Sequence, residues 1–294
     1  MKDTNRSVTH EIEIDEFHTI YYFEFGKDFS HPPEKHDFWE LVYVDSGEID
    51  AVTDGLGRRL RQGEVIFHRP MELHAHVSNR IVSNNMLVVS FSSKSPAMDF
   101  FDRKVFTLGK TEKTLLSLFL KEAEIALGRL PGDYRDKNPI DFSGAPAGST
   151  QLLECYLLEF LLVLKRGGEE SHAPSKHSED ARSLAQSSIL ELIISYMQEH
   201  VRENLTLSDI CKRFYMGKSG VCQLFADHMS ASPIEYFSGL KIAEAKRMLL
   251  LEGMTVNSVS DSLGYSSIHT FSRAFNRAVG KSPSEYRKML HHQG

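Results

Sequence analysis

The segment LGYSSIHTFSRAFNRAVGKSPSEYR (263–287) repeats, in worn form, a stretch that lies fifty residues earlier, FYMGKSGVCQLFADHMSASPIEYF (214–237). Phe225 aligns with Phe275, Ser232-Pro233 with Ser282-Pro283, Glu235 with Glu285, Tyr236 with Tyr286 and Tyr215 with Tyr265. A fixed offset of this kind confines the region to two like units and a connector whose length the repeat sets.

In the second copy, Val256, Val259 and Leu263 give a short helix one apolar side, and Gly264-Tyr265 breaks it. Ser266-Ser267 can cap the next helix. There Ile268, Phe271, Phe275 and Ala278 recur at i, i+3, i+7 and i+10, which predicts one buried face. The other face carries His269, Arg273 and Arg277 at i, i+4 and i+8. Two short helices, a tight turn and a basic stripe on the second helix make the helix-turn-helix pattern. Arg273 suits a bidentate contact to guanine or a phosphate contact, and Arg277, one turn on, suits the backbone. Ser267, His269 and Thr270 lie near the helix start, where base edges are reached.

A charged face alone is the default for a surface helix; the duplication is what argues for a reader. The connector over 233–251 has 19 residues, about 28 Å of helix, against the roughly 34 Å between successive major-groove faces. The copies are not equal. At a fifty-residue offset Gln223 stands for Arg273, Asp227 for Arg277 and Ser219 for His269. Glutamine can pair with adenine, but Asp227 repels phosphate, with Lys218 and Lys212 as partial compensation. The second copy is therefore expected to supply most of the backbone affinity.

Leu263-Gly264-Tyr265-Ser266-Ser267, then Phe271-Ser272-Arg273-Ala274-Phe275, then Gly280-Lys281-Ser282-Pro283-Ser284-Glu285-Tyr286-Arg287, form a combination that resembles the DNA-binding domain of the AraC/XylS family of transcriptional regulators, over 187–290. The resemblance implies an all-α double helix-turn-helix domain bound to the promoter DNA of target genes. It also implies RNA polymerase as a partner, a small-molecule effector, a homodimer and no catalysis.

Net charge supports a local reading of this kind. The chain of 294 residues carries −6 overall, yet 182–294 carries 13 Lys+Arg against 10 Asp+Glu, leaving the acidity to the first 181 residues. Phosphate attraction acts over roughly 8–10 Å, so overall acidity does not oppose it. Cys155, Cys211 and Cys222 show neither disulfide nor metal spacing. Cys211 is expected in a core. The N-terminus lacks the apolar run of a signal peptide, and the most apolar stretch, LLECYLLEFLLVL (152–164), is short and interrupted by Glu154 and Glu159. The expectation is a cytoplasmic protein with no membrane contact.

Residues 11–95 read as strands: IYYFEF, FWELVYV, EIDAV, EVIFH and NMLVVSF, short and separated by turn signals. Helical periodicity follows over 111–128 and 150–166. The expected architecture is two-domain α+β. A ligand-sensing and dimerising β-barrel with flanking helices spans 1–166, a polar linker 167–184 and the DNA-binding domain 185–294.

Glu40 and Gly47, six residues between them, then Gly63-Glu64-Val65-Ile66-Phe67, Pro70 and His74, resemble the two motifs of the cupin-type sensor domain found ahead of AraC-type DNA-binding domains. His36, Phe38 and Glu40 alternate with their neighbours along a strand and so point to one face; the resemblance implies a barrel in which they and His74 meet one pocket. Metal-binding cupins differ: Glu34 stands where a first histidine is expected, and the glycine after Pro70 is missing. The expectation is therefore no cofactor and no metal, with these groups hydrogen-bonding a small effector. Together with Trp39 and Tyr43 they suit a sugar. The alternatives are a cupin metalloenzyme with its ion at His36, Glu40 and His74, and a constitutive DNA-binding protein whose barrel only dimerises.

Overall fold

The structure, a computed structural model, describes residues 8–26, 29–78, 81, 83–132, 140–168, 179–251 and 254–291. The chain divides into two compact units, Met1–Ala185 and Gln186–Gly294.

Two antiparallel sheets build the first unit. One runs β1 (Glu16–Phe25), β8 (Asn84–Ser92), β3 (Trp39–Ser46), β6 (Glu64–His68), β9 (Val105–Thr107); the other runs β2 (Ser30–Glu34), β7 (His74–Ser78), β4 (Glu48–Thr53), β5 (Leu56–Arg61). Strand alternation sorts β3 into two faces. Trp39, Leu41 and Tyr43 pack outward with Phe67, Val89 and Phe91 against α1 (Lys110–Leu127) and α2 (Ser149–Gly168), through Phe119, Leu157 and Phe160. Val42 and Val44 instead meet Ile49, Ala51, Leu60, Ile66 and Met86. Each such side chain, fully buried, contributes about 1.5–3 kcal/mol. The apolar faces of α1 and α2 pack in one core with this sheet.

Strands β2, β5, β7 and β9 go beyond the five expected. His36 and Phe38, expected on a strand with Glu40, lie in the connection between β2 and β3 instead. The linker expected at 167–184 is entered by helix from both sides: α2 runs to Gly168 and α3 (Glu179–Glu199) opens within it. The segment 169–178 lies outside the described residues.

The second unit continues with α4 (Leu207–Arg213), α5 (Lys218–Met229), α6 (Pro233–Leu251), α7 (Val256–Ser262), α8 (Ile268–Val279) and α9 (Pro283–His291). The duplicated Ser-Pro pairs open α6 and α9. In each, the serine hydroxyl accepts from the Glu235 or Glu285 amide (3.3 and 3.2 Å), and the glutamate accepts from the serine amide (2.9 and 2.8 Å). These reciprocal caps satisfy amide donors that a helix start leaves open.

Candidate functional site

The two short-helix pairs, α4–α5 and α7–α8, flank α6, which packs against α5, α7, α8 and α9. In the second pair Phe271 and Phe275 are fully buried with Val259, Leu263, Ala245, Met248 and Leu249. Ala278, expected on that buried face, is exposed in the last turn, beyond the two phenylalanines that fill the core. The opposite face is as expected: His269, Arg273 and Arg277 are exposed. Among the described residues neither arginine is engaged in a hydrogen bond or ion pair. Ser267 is the N-cap of α8; its hydroxyl accepts from the Thr270 amide at 3.2 Å and lies 3.0 Å from the Thr270 hydroxyl. Both expected contact residues thus first serve the helix start.

Lys241 of α6 was not foreseen as part of the site. Its ammonium is buried and donates to the Leu263 carbonyl at 2.6 Å, between the rings of Phe237 and Tyr265. Burial pushes its pKa down. The bond ties the end of α7 to the spacer, so a lysine within an apolar helical stripe is the only trace it leaves in the sequence.

The first pair differs at each of these points. Lys218, Ser219 and Gln223 are exposed on α5, but the Gln223 amide donates to Asp227 at 2.7 Å within its own helix. The side chain expected to read adenine is occupied by the carboxylate expected to repel phosphate. The turn also differs. The Tyr215 and Met216 amides donate to the carbonyls of Lys212 and Cys211, and those of Gly264 and Tyr265 to Asp261 and Ser260. Tyr215 therefore matches Gly264 and not Tyr265; the offset is 49 up to this turn and 50 beyond it, with Ser266 as the extra residue. Tyr215 and Gly264 share a left-handed backbone, φ 53° and 67°. Cys211, expected in a core, is only half-buried.

In the barrel, the residues along one interior face of β3 and β8 change character from end to end. Val44 faces Met86, Val42 faces Val88 and Glu40 faces Ser90 in register. Between the sheets lies a cavity of about 180 Å³, lined by Thr19, Glu34, His36, Phe38, Glu40, His76 and Ser90 toward the Glu40 end and by Tyr21, Phe23, Phe25, Phe29 and Met86 toward the other. The Ser90 hydroxyl donates to Glu40 at 3.2 Å. Phe38 is sandwiched between His36 (4.0 Å between ring centres) and His18 (4.2 Å). Trp39 and Tyr43 face the helix-side core instead, so of the aromatic groups expected to meet a sugar only Phe38 reaches the cavity.

Buried ionisable groups crowd this end. His74 Nε2 lies 3.4 Å from Glu40 and 3.6 Å from Glu34, while His36 Nε2 lies 3.6 Å from Glu40. Burial works against the charge on His74, but Glu34 and Glu40 outweigh it and push its pKa up to about 10. Burial would likewise raise Glu40; His36 and His74 reverse this and hold it well below the usual carboxylate range. Behind them His68 bridges Glu72 (2.9 Å) and His76 (3.1 Å), and burial pushes both of these imidazoles well down. The structure places His36, Phe38 and Glu40 on the cavity lining and His74 beside them, against Glu40 and His36. Sequence reasoning missed Glu34, His76 and Ser90, for which the period-two spacing of His74-x-His76 was the available signal.

Two family models match the chain: the AraC-like ligand binding domain over 17–80 and a helix-turn-helix domain over 210–289. Over 99 residues the chain is 35% identical to the raffinose operon transcriptional regulatory protein RafR of Pediococcus pentosaceus, a match spanning 34% of this chain and 36% of that protein. It is 23% identical to the HTH-type transcriptional activator RhaR of Pectobacterium atrosepticum over 265 residues, 87% of this chain and 86% of that protein. Identity to the HTH-type transcriptional activator RhaS of Escherichia fergusonii is also 23%, over 270 residues and 87% of each. Among the described residues no helix is long and apolar enough to cross a membrane.

Proposed function

The chain belongs to the AraC family of transcriptional regulators, and on that premise we propose that it is a ligand-responsive activator of promoter DNA. The observation that carries this is the pairing of one exposed, unengaged basic helix face, His269, Arg273 and Arg277 on α8, with an interior cavity lined by charged groups in the other unit. Arg273 meets a base edge or phosphate, Arg277 the backbone, and His269 and Thr270 the bases at the helix start. Ser267, Lys218 and Ser219 add contacts. Gln223 reads a base only once it leaves Asp227.

The AraC-like ligand binding domain takes a small-molecule effector. Its cavity lies below the roughly 300–1,000 Å³ of pockets that bury drug-sized ligands, so the occupant is compact: a small hydroxylated molecule fits the reading, a sugar the size of raffinose does not. The effector shifts DNA binding by its differential affinity for two arrangements of the chain. The relatives matched over most of their length are named activators, which favours activation through RNA polymerase. Homodimerisation uses the outward side of α1 and α2, where Leu118, Ile125, Leu152 and Leu162 remain 37–51% exposed. The protein works in the cytoplasm, as a regulator and not as an enzyme.

Fluorescence anisotropy with duplexes from upstream of the protein's own gene, at several salt concentrations, tests the reading. Tight binding to one duplex, falling steeply with salt and weakened by Arg273→Ala, is the expected result. Absence of preference for any duplex, including a randomised pool, with and without candidate effectors, overturns it.

A further inference from the structure

We propose that the barrel cavity takes a compact arylalkyl ammonium ion: one aromatic ring on a short arm that ends in a protonated amine.

The cavity is divided along its length. Thr19, Tyr21 and Phe23 recur at every second residue of β1 and face Ser90, Val88 and Met86 of β8 in register; all six line the cavity. The pairs run from two hydroxyls to a ring and a valine, then to a ring and a methionine. A step of two residues along a strand is about 7 Å, so the polar and apolar ends lie a ring and a short arm apart. Tyr21, Phe23 and Val88 stay half-buried although they line the interior. Apolar surface left wet in a concave site is what a ring covers with gain, offset or edge-on to the rings already there.

Size sets the number of rings. A dry apolar cavity of about 150 Å³ holds one benzene. This one, about 180 Å³, adds room for a short arm and not for a second ring.

The polar end calls for a donor. The Ser90 hydroxyl donates to Glu40 at 3.2 Å, so in its 2.6 Å contact with the Thr19 hydroxyl it accepts; both hydroxyl hydrogens are spent. His36 Nδ1 lies 3.0 Å from the Phe38 carbonyl, which only accepts, so Nδ1 carries the hydrogen. Nε2 of the neutral ring keeps a lone pair. It is buried without a hydrogen-bond partner and lies 3.6 Å from Glu40, itself an acceptor. Two acceptors that face one another with no proton between them are costly until a donor arrives.

Charge selects the donor. Glu34 and Glu40 share His74, at 3.6 and 3.4 Å, so even a protonated His74 leaves one carboxylate charge unanswered. His31 lies 3.5 Å from Glu34, but both side chains are partly exposed, and water weakens such a pair. A hydroxyl satisfies the acceptors; an ammonium, with three donors and a positive charge, also cancels charge that burial makes expensive. The inference rests on the reading of this cavity as the effector site and sharpens its polar end from any donor to a charged one.

The test is calorimetric titration of the full-length protein with phenethylamine, 2-phenylethanol, phenylacetate and butylamine, which change the charge, its sign or the ring one at a time. Phenethylamine is expected to bind at one site. The alcohol and butylamine should each bind at least about tenfold more weakly, and phenylacetate, which brings like charges together, about a hundredfold more weakly or not at all. Glu34→Gln, on a side chain 38% exposed, and Phe23→Leu should each weaken phenethylamine about three- to tenfold, with circular dichroism to check that both variants fold. Equal affinity for amine and alcohol overturns the charged head, and butylamine binding as well as phenethylamine overturns the ring. Equal affinity in wild type and both variants places the site elsewhere and overturns the proposal, as does binding of none of the four. Anisotropy with promoter DNA separates this from the function proposed above. Amine binding that leaves DNA affinity unchanged keeps the ligand and removes its role as effector; DNA binding that responds to another molecule, with no amine bound, removes the ligand alone.

Discussion

The two helix-turn-helix copies have the same helices and different punctuation. In the second, each special backbone position holds a residue suited to it. Gly264 occupies the left-handed turn, Gly280 the left-handed C-cap of α8, and Ser267 the N-cap with its hydroxyl bonded to the helix. In the first, the corresponding positions are Tyr215, Ser230 and Gly217, the last with no side chain to offer. The reverse holds only at the start of the leading helix. There Thr206 and Asp209 cap α4 reciprocally, while Thr255 of α7 only accepts from the Ser258 amide. The basic stripe follows the same division. Duplication preserved the packing of Phe225 and Phe275, both fully buried, and let the turn and the solvent face diverge. A fold tolerates change where side chains meet water, and function is most easily redistributed there.

The sharpest way to break this comparison is at the DNA. Arg273→Ala is expected to weaken operator binding by about 1–3 kcal/mol, roughly 5- to 150-fold, and Gln223→Ala by clearly less. Equal losses in anisotropy titrations would refute the inequality of the copies. Stability gives the next largest contrast. Gly264→Ala forces φ 67° on a residue with a side chain and brings its Cβ to 3.0 Å from the Arg202 carbonyl. It should cost about 1–2 kcal/mol in urea unfolding; a neutral result would mean that the turn relaxes.

Tyr215→Gly has the opposite sign. The tyrosine is 58% exposed and packs little, so relief of the left-handed strain should exceed the glycine entropy cost and stabilise by up to about 1 kcal/mol. A loss of stability would show that the ring does more than its exposure suggests. Smallest is Asp227→Ala, which removes the phosphate repulsion and frees Gln223. It should tighten DNA binding a few-fold, within the ~1 kcal/mol of a single exposed electrostatic interaction. Weaker binding would make the Gln223–Asp227 pair a preorganised reader and not a hindrance.

The helices after α3 were legible, since a 3.6-residue apolar period, serine and threonine caps and Ser-Pro starts all agree with one another; α3 opens at Glu179, inside the expected linker. Besides Ala278 and Cys211, which are less buried than expected, the error in these helices was pairing Tyr215 with Tyr265; it came from a single extra residue in a turn, which identity at a fixed offset conceals. The barrel was less legible. SHPPE contains two prolines, LGRRLR is charged at a sheet edge, and HAHVS is fully buried although three of its five residues are polar. The usual strand composition fails for such segments: an edge strand tolerates proline and charge, and the polar residues of β7 have buried partners, Glu34 and Glu40 for His74, His68 for His76 and Asn84 for Ser78. Three of the cavity residues, His36, Phe38 and Glu40, were still singled out, with His74 beside them, because they carry chemistry that a hydrophobic core does not need. Glu34 was passed over because it replaces a histidine, and its place as direct partner of His74 across β2 and β7 is a matter of register that no local pattern reveals.

The Gln223–Asp227 hydrogen bond has a consequence for a regulator that searches a long genome. Contacts of Arg273 and Arg277 with phosphate weaken as ionic strength rises, wherever on the DNA they are made. Parting an amide from a carboxylate on the same helix costs nearly the same at any salt. On the function proposed above, Gln223 gives nothing to a random sequence and gives something only where a base repays the broken bond. Rising salt would then shorten the visits to wrong sites more than it blurs the choice of the right one.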